Sequence, residues 1–106
     1  MSSPSHPGAA ELRRVQLGRV ATAEASAWAA WWRGELSRQK RPLAGGWPGT
    51  LSEARVRVAR RIAADLGAAF LTTREELDET ARAAWGAARR EWNDSCAPEP
   101  DIDVEA

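Results

Sequence analysis

The stretch "RPLAGGWPGTLSEAR", residues 41–55, decides how the chain is divided into helices. Its two prolines cannot continue a helix and its glycines permit tight turns, so we expect a break between two alanine-rich segments. The "TLSE" within it matches a capping box, in which the side chains of Thr50 and Glu53 each bond the other's backbone N–H. One helix therefore ends before this stretch, and another begins inside it.

Helical patterns on both sides of the break predict an all-α, three-helix domain. The proline-free segment before it indicates a first helix over about residues 10–39, in which Gly18 and Gly34 permit a kink or early fraying. Apolar residues along one face predict a second helix over about residues 51–70. The "TTREE" after it fits another capping box and starts a third helix, over about residues 73–93. No segment shows sustained alternation between apolar and polar residues, so no strand is expected in the domain.

Both ends of the chain are expected to lie outside the single helical domain of residues 10–93. Residues 1–9 are rich in serine and proline and predict a disordered arm. Residues 94–106 are acidic, contain two prolines and predict a disordered acidic tail. If the tail were extended, Ile102 and Val104 would fall on one side, which suits strand addition to a partner. Such a segment could instead dock on a basic groove of a partner, or it could screen the chain's own basic patch and set access to it. The interpretation that we favour is a solubilising tail.

Composition narrows the class of protein. The chain has 106 residues and one cysteine, so it cannot form an intramolecular disulfide. Its first ten residues lack the features of a secretory signal, and its longest strictly apolar run, residues 27–32, is far shorter than the roughly 20 residues of a membrane span. We therefore expect a soluble cytoplasmic protein. Binding to a membrane surface through a basic, tryptophan-bearing helix is not favoured, because the first helix is mostly alanine and carries Glu11, Glu24 and Glu35.

Charge is divided unevenly along a chain of zero net charge. Residues 1–61 hold eleven basic and four acidic side chains, whereas residues 62–106 hold four basic and eleven acidic ones. The sequence leaves open whether these oppositely charged halves meet within one chain or between two chains.

Six tryptophans in so short a chain indicate core packing, an interface or both. Trp28, Trp31 and Trp32 follow helical spacing, and we expect most of them to pack against alanines of the third helix. Trp31 and Trp32 point about 100° apart, so one of them is a candidate for exposure to a partner. Trp47, in the proline- and glycine-rich loop, either closes the end of the bundle or stands out as a partner contact.

The leading functional expectation is a small, non-enzymatic protein–protein interaction module, such as an adaptor or regulatory subunit, with self-association included among its partners. Tryptophan beside arginine is a frequent combination at binding hot spots. The candidate interface residues are Trp31, Trp32, Trp47, Arg33 and Arg41.

The alternative is a nucleic-acid-binding regulator that uses the basic patch of residues 33–61. Its arginines would neutralise phosphates while indoles stack on bases. Local pairs such as Glu53–Arg57 and Arg61–Asp65, at helical spacing, count against this alternative, as does the zero net charge. The candidate residues are Arg55, Arg57, Arg60 and Arg61.

No catalytic, cofactor-binding or metal-ligating residue is expected. The single histidine, His6, lies in the predicted arm, and Cys96 lies in the predicted tail without an activating neighbour. The chain contains no glycine-rich phosphate-binding motif. These features make an enzyme the least favoured class.

Overall fold

The computed structural model describes residues 7–96 and confirms an all-α, three-helix fold. Helix α1 spans Pro7–Arg38, α2 spans Leu51–Leu66 and α3 spans Arg74–Cys96, with a short 3-10 turn at Leu43–Gly45. No strand occurs between residues 7 and 96. Helix α1 runs without interruption past Gly18 and Gly34, so neither glycine breaks it.

The outer bounds of the helices extend slightly beyond those expected. Helix α1 begins at Pro7, at a position where proline is favoured because its missing N–H would have no intrahelical partner. Helix α3 continues to Cys96, three residues past the expected end. The remainder of the predicted arm, residues 1–6, and of the predicted acidic tail, residues 97–106, lies outside the described residues.

The end of α1 is fixed by a Schellman motif. The N–H of Arg41 donates to the carbonyl of Leu36 at 2.8 Å, and the N–H of Lys40 donates to the carbonyl of Ser37 at 3.0 Å. Lys40 takes a φ of 58°, in the left-handed region usually filled by glycine. This turn sends the chain away from the α1 axis and into the loop that precedes α2.

Helix α2 is bounded by a side-chain cap and a glycine. The hydroxyl of Thr50 accepts the N–H of Glu53 at 3.1 Å, which is the first half of the expected capping box. The helix ends at Leu66, four residues earlier than expected, because Gly67 adopts a φ of 100°. Phe70 consequently lies in the loop after α2 instead of on its apolar face.

Helix α3 begins with a complete capping box that is tied to α1. The Thr73 hydroxyl accepts the N–H of Glu76 at 3.0 Å, and the Glu76 carboxylate accepts the N–H of Thr73 at 2.9 Å. Arg13 of α1 donates to the same carboxylate through Nε at 2.6 Å and Nη2 at 2.9 Å. This bidentate pair lowers the pKa of Glu76 to about 2, chiefly through the hydrogen bond from Arg13.

Cross-helix contacts establish an up–down–up bundle. Arg13 meets Glu76 and Arg33 meets Ser95, so α1 and α3 run parallel. Helix α2 runs antiparallel to α1, because Trp28 of α1 bonds Glu53 at the start of α2 while residues earlier in α1 meet later parts of α2.

The core consists of tryptophans packed against small side chains. Trp28 is completely buried, as is the alanine ridge of α3, which contains Ala81, Ala84 and Ala88. Val58 and Ile62 supply the buried face of α2. The size match between indoles and alanines allows the three helices to approach closely, as expected from the sequence.

The loop tryptophan, Trp47, closes the end of this core. Its ring lies edge-on to Trp28, with centroids 4.9 Å apart, and to Trp92, with centroids 5.5 Å apart. Gly49 lies directly against these rings, and a Cβ at that position would come within 2.6 Å of Trp28 Cζ2. The Trp85 indole N–H also holds the loop by donating to the Gly49 carbonyl at 2.9 Å.

Within residues 7–96, no helix combines the length and apolar character needed to cross a membrane.

Candidate functional site

A groove of about 590 Å³ runs between α1 and α2 on the surface of the bundle. One face of α2 supplies most of its wall, and two side chains of α1 complete it. Its lining includes Glu24, Trp31, Val56, Arg57, Arg60 and Arg61. We refer to this surface as the Trp31 groove.

Trp31 is the most exposed aromatic side chain of the groove and is nonetheless held in place. It is 47% exposed. Its ring lies edge-on to Trp32, with centroids 5.0 Å apart, and the guanidinium carbon of Arg57 lies 5.3 Å from its centroid. Val56, which is 51% exposed, lines the same groove and adds aliphatic surface to it.

A buried carboxylate holds two of the three arginines of the groove in place. Glu24 is only 4% exposed, and it accepts from Arg57 Nη1 at 2.7 Å and from Arg61 Nε at 2.8 Å. Arg61 also reaches Asp65 at 3.4 Å. The hydrogen bond with Glu24 raises the pKa of Arg61, so this guanidinium keeps its charge. The buried charge of Glu24 is thus compensated by two partners, as burial requires.

Glu53 orients the tryptophans beside the groove. Its carboxylate accepts the indole N–H of Trp28 at 2.8 Å and that of Trp32 at 3.1 Å, and it lies 3.8 Å from Arg57. The side chain therefore does not reach back to Thr50, which corrects the second half of the capping box expected there. Glu53 instead links the start of α2 to α1 and fixes the ring against which Trp31 packs.

The interface candidates named from the sequence differ in exposure and in location. Trp31 is exposed, whereas Trp32 is half-buried and uses its N–H on Glu53. Trp47 has its ring between Trp28 and Trp92, which is the arrangement of a bundle closure and not of an exposed contact. Arg33 and Arg41 do not line the Trp31 groove; they bond Ser95 at 3.3 Å and Gln39 at 3.2 Å respectively.

Most of the arginines proposed to read nucleic acid are paired with carboxylates. Arg55 binds Asp78 of α3 at 2.7 Å, and Arg57 and Arg61 share Glu24. Arg60 is exposed and makes no ion pair with any residue between 7 and 96. The oppositely charged halves of the sequence thus meet within one chain, at Arg13–Glu76 and Arg55–Asp78.

Two contributors to the site were missed by sequence reasoning. Glu24 was the one acid in an alanine-rich stretch of α1, which is a weak signal for a buried ion pair. Val56 lies outside the buried apolar face of α2. An aliphatic residue on the polar side of a helix is a signal for an exposed contact, and this signal was present in the sequence.

No group of three or more potential metal ligands occurs among residues 7–96. His6 lies outside the described residues. Comparisons with protein-family models, with curated proteins and with solved structures gave no significant match. The fold and the site therefore define the molecule only as a three-helix bundle with an aromatic and basic surface groove.

Proposed function

We propose that this chain is a small, non-enzymatic protein–protein interaction module, of the adaptor or regulatory-subunit kind, and that the Trp31 groove is its contact surface. The observation that carries the proposal is the exposure of Trp31 while Trp32 and Arg57 hold its ring. An immobilised indole loses little conformational entropy on binding, and tryptophan and arginine are enriched at binding hot spots.

The surroundings of Trp31 support a protein partner. Val56 extends the apolar surface, and Glu24 orders Arg57 and Arg61 before any partner binds. A partner that places an apolar side chain on Trp31 and an acidic or carbonyl group near Arg60 would match this surface. Such a centre of aromatic and apolar groups with polar groups at its edge is typical of protein interfaces.

Ion pairing within the chain is the reason for ranking nucleic acid second. A guanidinium that already bonds a carboxylate gains less from a phosphate, and three of the four candidate arginines are in that state. Arg60 remains available, so a weak phosphate contact stays the alternative. Binding of that kind would fall steeply with salt, whereas an interface centred on Trp31 would change little.

The test is a capture experiment with the full chain and two matched variants. Trp31→Ala removes the exposed indole of the groove, and Leu12→Ala removes an exposed apolar side chain of α1 that does not line it. Partners retained by the parent chain are identified by mass spectrometry, with and without nuclease, and their affinities are then measured with purified components.

We expect a partner that survives nuclease, binds the Leu12→Ala variant normally and binds Trp31→Ala at least about 30-fold more weakly, as for a hot-spot residue. Recovery of the chain itself would make the partner a second copy. Equal binding by both variants would contradict the role of the groove. Loss of all prey on nuclease treatment would favour the nucleic-acid alternative.

A further inference from the structure

The end of the bundle at which α1 finishes carries three basic side chains without an ion-pair partner among residues 7–96. Arg33 and Arg41 bond only the neutral side chains of Ser95 and Gln39, and Lys40 is exposed. The acid nearest to them in sequence, Glu35, is already bonded by Arg38 and Gln39. We call Arg33, Lys40 and Arg41 the basic end.

Helix α3 ends next to this basic end. It runs parallel to α1, and Ser95 in its last turn accepts from Arg33 Nη1 at 3.3 Å. Helix α1 continues past Arg33 to Arg38, and Lys40 and Arg41 follow in the turn that ends it. The last turn of α3 therefore lies beside Arg33, at the end of the bundle where α1 also ends.

The ten residues beyond Cys96 have the chemistry that this surface requires. Residues 97–106 contain four acids and no base. Fully extended, ten residues reach about 33 Å. If the backbone of this segment were extended, Asp101, Asp103 and Glu105 would share one side and span about 13 Å. Pro98 and Pro100 disfavour a helix in this segment.

We propose that residues 97–106 bind back onto the basic end of the same chain, with their carboxylates against Arg33, Lys40 and Arg41. The contact is electrostatic and intramolecular. This inference concerns a different surface from the Trp31 groove and does not depend on the function proposed for that groove.

Lys40 makes the test specific, because it is the only lysine in the chain. A carbodiimide joins an amine directly to a carboxylate with which it is in contact. We would treat the purified full chain at low ionic strength and identify by mass spectrometry the acid joined to Lys40. Mixing equal amounts of isotopically heavy and light chain distinguishes links within one chain from links between two.

The expected product joins Lys40 to Asp101, Asp103 or Glu105 within one chain. This product should be lost in 1 M salt, where the screening length falls to about 3 Å. Replacing Arg33 and Arg41 by glutamine should lower its yield roughly fivefold, the effect of removing one or two exposed ion pairs. The matched control Arg19→Gln, elsewhere on α1, should leave the yield unchanged, and circular dichroism confirms that each variant is folded.

Three results would overturn the proposal. The first is a link from Lys40 to Glu35 alone, and the second is a tail link found only between heavy and light chains, which would assign the surface to a second copy. The third is a tail link that resists 1 M salt and the double glutamine variant, since such a contact would not depend on the basic end.

Discussion

Replacement of Glu53 by alanine should destabilise the bundle more than the loss of any ordinary surface carboxylate. The Glu53 carboxylate accepts two indole N–H groups, from Trp28 at 2.8 Å and from Trp32 at 3.1 Å. Trp28 is 0% exposed, so its N–H would have no water to replace the lost acceptor. The backbone N–H of Glu53 would still be capped by Thr50, so the start of α2 should survive the substitution.

The magnitude follows from these two hydrogen bonds. Bonds to a charged group contribute about 1.5–3 kcal/mol each, and the Glu53 side chain is 27% exposed, which favours the lower end of that range. We therefore expect Glu53→Ala to lower the free energy of unfolding by about 3 kcal/mol. For a domain of this size the melting temperature should fall by about 10–20 °C. Glu53→Gln keeps a neutral acceptor and should cost roughly half as much.

Urea unfolding followed by tryptophan fluorescence and far-UV circular dichroism measures this loss. The control is Glu79→Ala, which removes an exposed carboxylate of α3 and should change the free energy of unfolding by less than about 0.5 kcal/mol. If Glu53→Ala also changes it by less than about 0.5 kcal/mol, the two indole hydrogen bonds do not stabilise the fold and the reasoning fails.

Two further predictions concern the closed end of the bundle and the α1–α3 ion pair. Gly49→Ala should lower the free energy of unfolding by about 1–3 kcal/mol, because the added methyl group overpacks against Trp47. The control Gly45→Ala adds a methyl group that meets no atom within 4 Å and should have little effect in the same urea titration. Equal losses in the two variants would contradict the close approach of Gly49 to the Trp47 ring. The pKa of Glu76 is lowered from 4.5 to about 2 by Arg13, so its contribution to stability is complete above pH 4.5 and is lost as the pH falls towards 2. The urea midpoint of Glu76→Gln should therefore lie below that of the parent chain at neutral pH and converge with it near pH 2, and a gap that stays constant with pH would refute this linkage.

Local sequence signals determined the number, order and approximate bounds of the helices. The proline- and glycine-rich stretch before Thr50 separates α1 from α2, and the capping box of Thr73 and Glu76 starts α3. These signals act between residues three or four positions apart, so they can be recognised without knowledge of the fold. The end of α2 was misplaced because the apolar pattern continued to Phe70, although Gly67 stops the helix earlier.

The candidate site was only partly visible in the sequence. Trp31 could be named as an exposed aromatic candidate, but the arginines assigned to it, Arg33 and Arg41, were chosen because they are near in sequence. In the bundle, Trp31 meets Arg57 and lines a groove with Arg60. Which side chain of α2 faces a given residue of α1 depends on the antiparallel register of two helices, and neither helix encodes that register alone.

Helical periodicity, caps and helix breakers thus determined by themselves that the chain forms three helices and where they lie. Only the tertiary structure decided that Trp47 closes the core and that Glu53 accepts two indole N–H groups instead of completing its capping box. It also decided that Glu24 orders two arginines of the groove, Arg57 and Arg61. The physical reason is that a hydrogen bond or ring contact between helices depends on distances set by packing, whereas helix formation depends on neighbours one turn away.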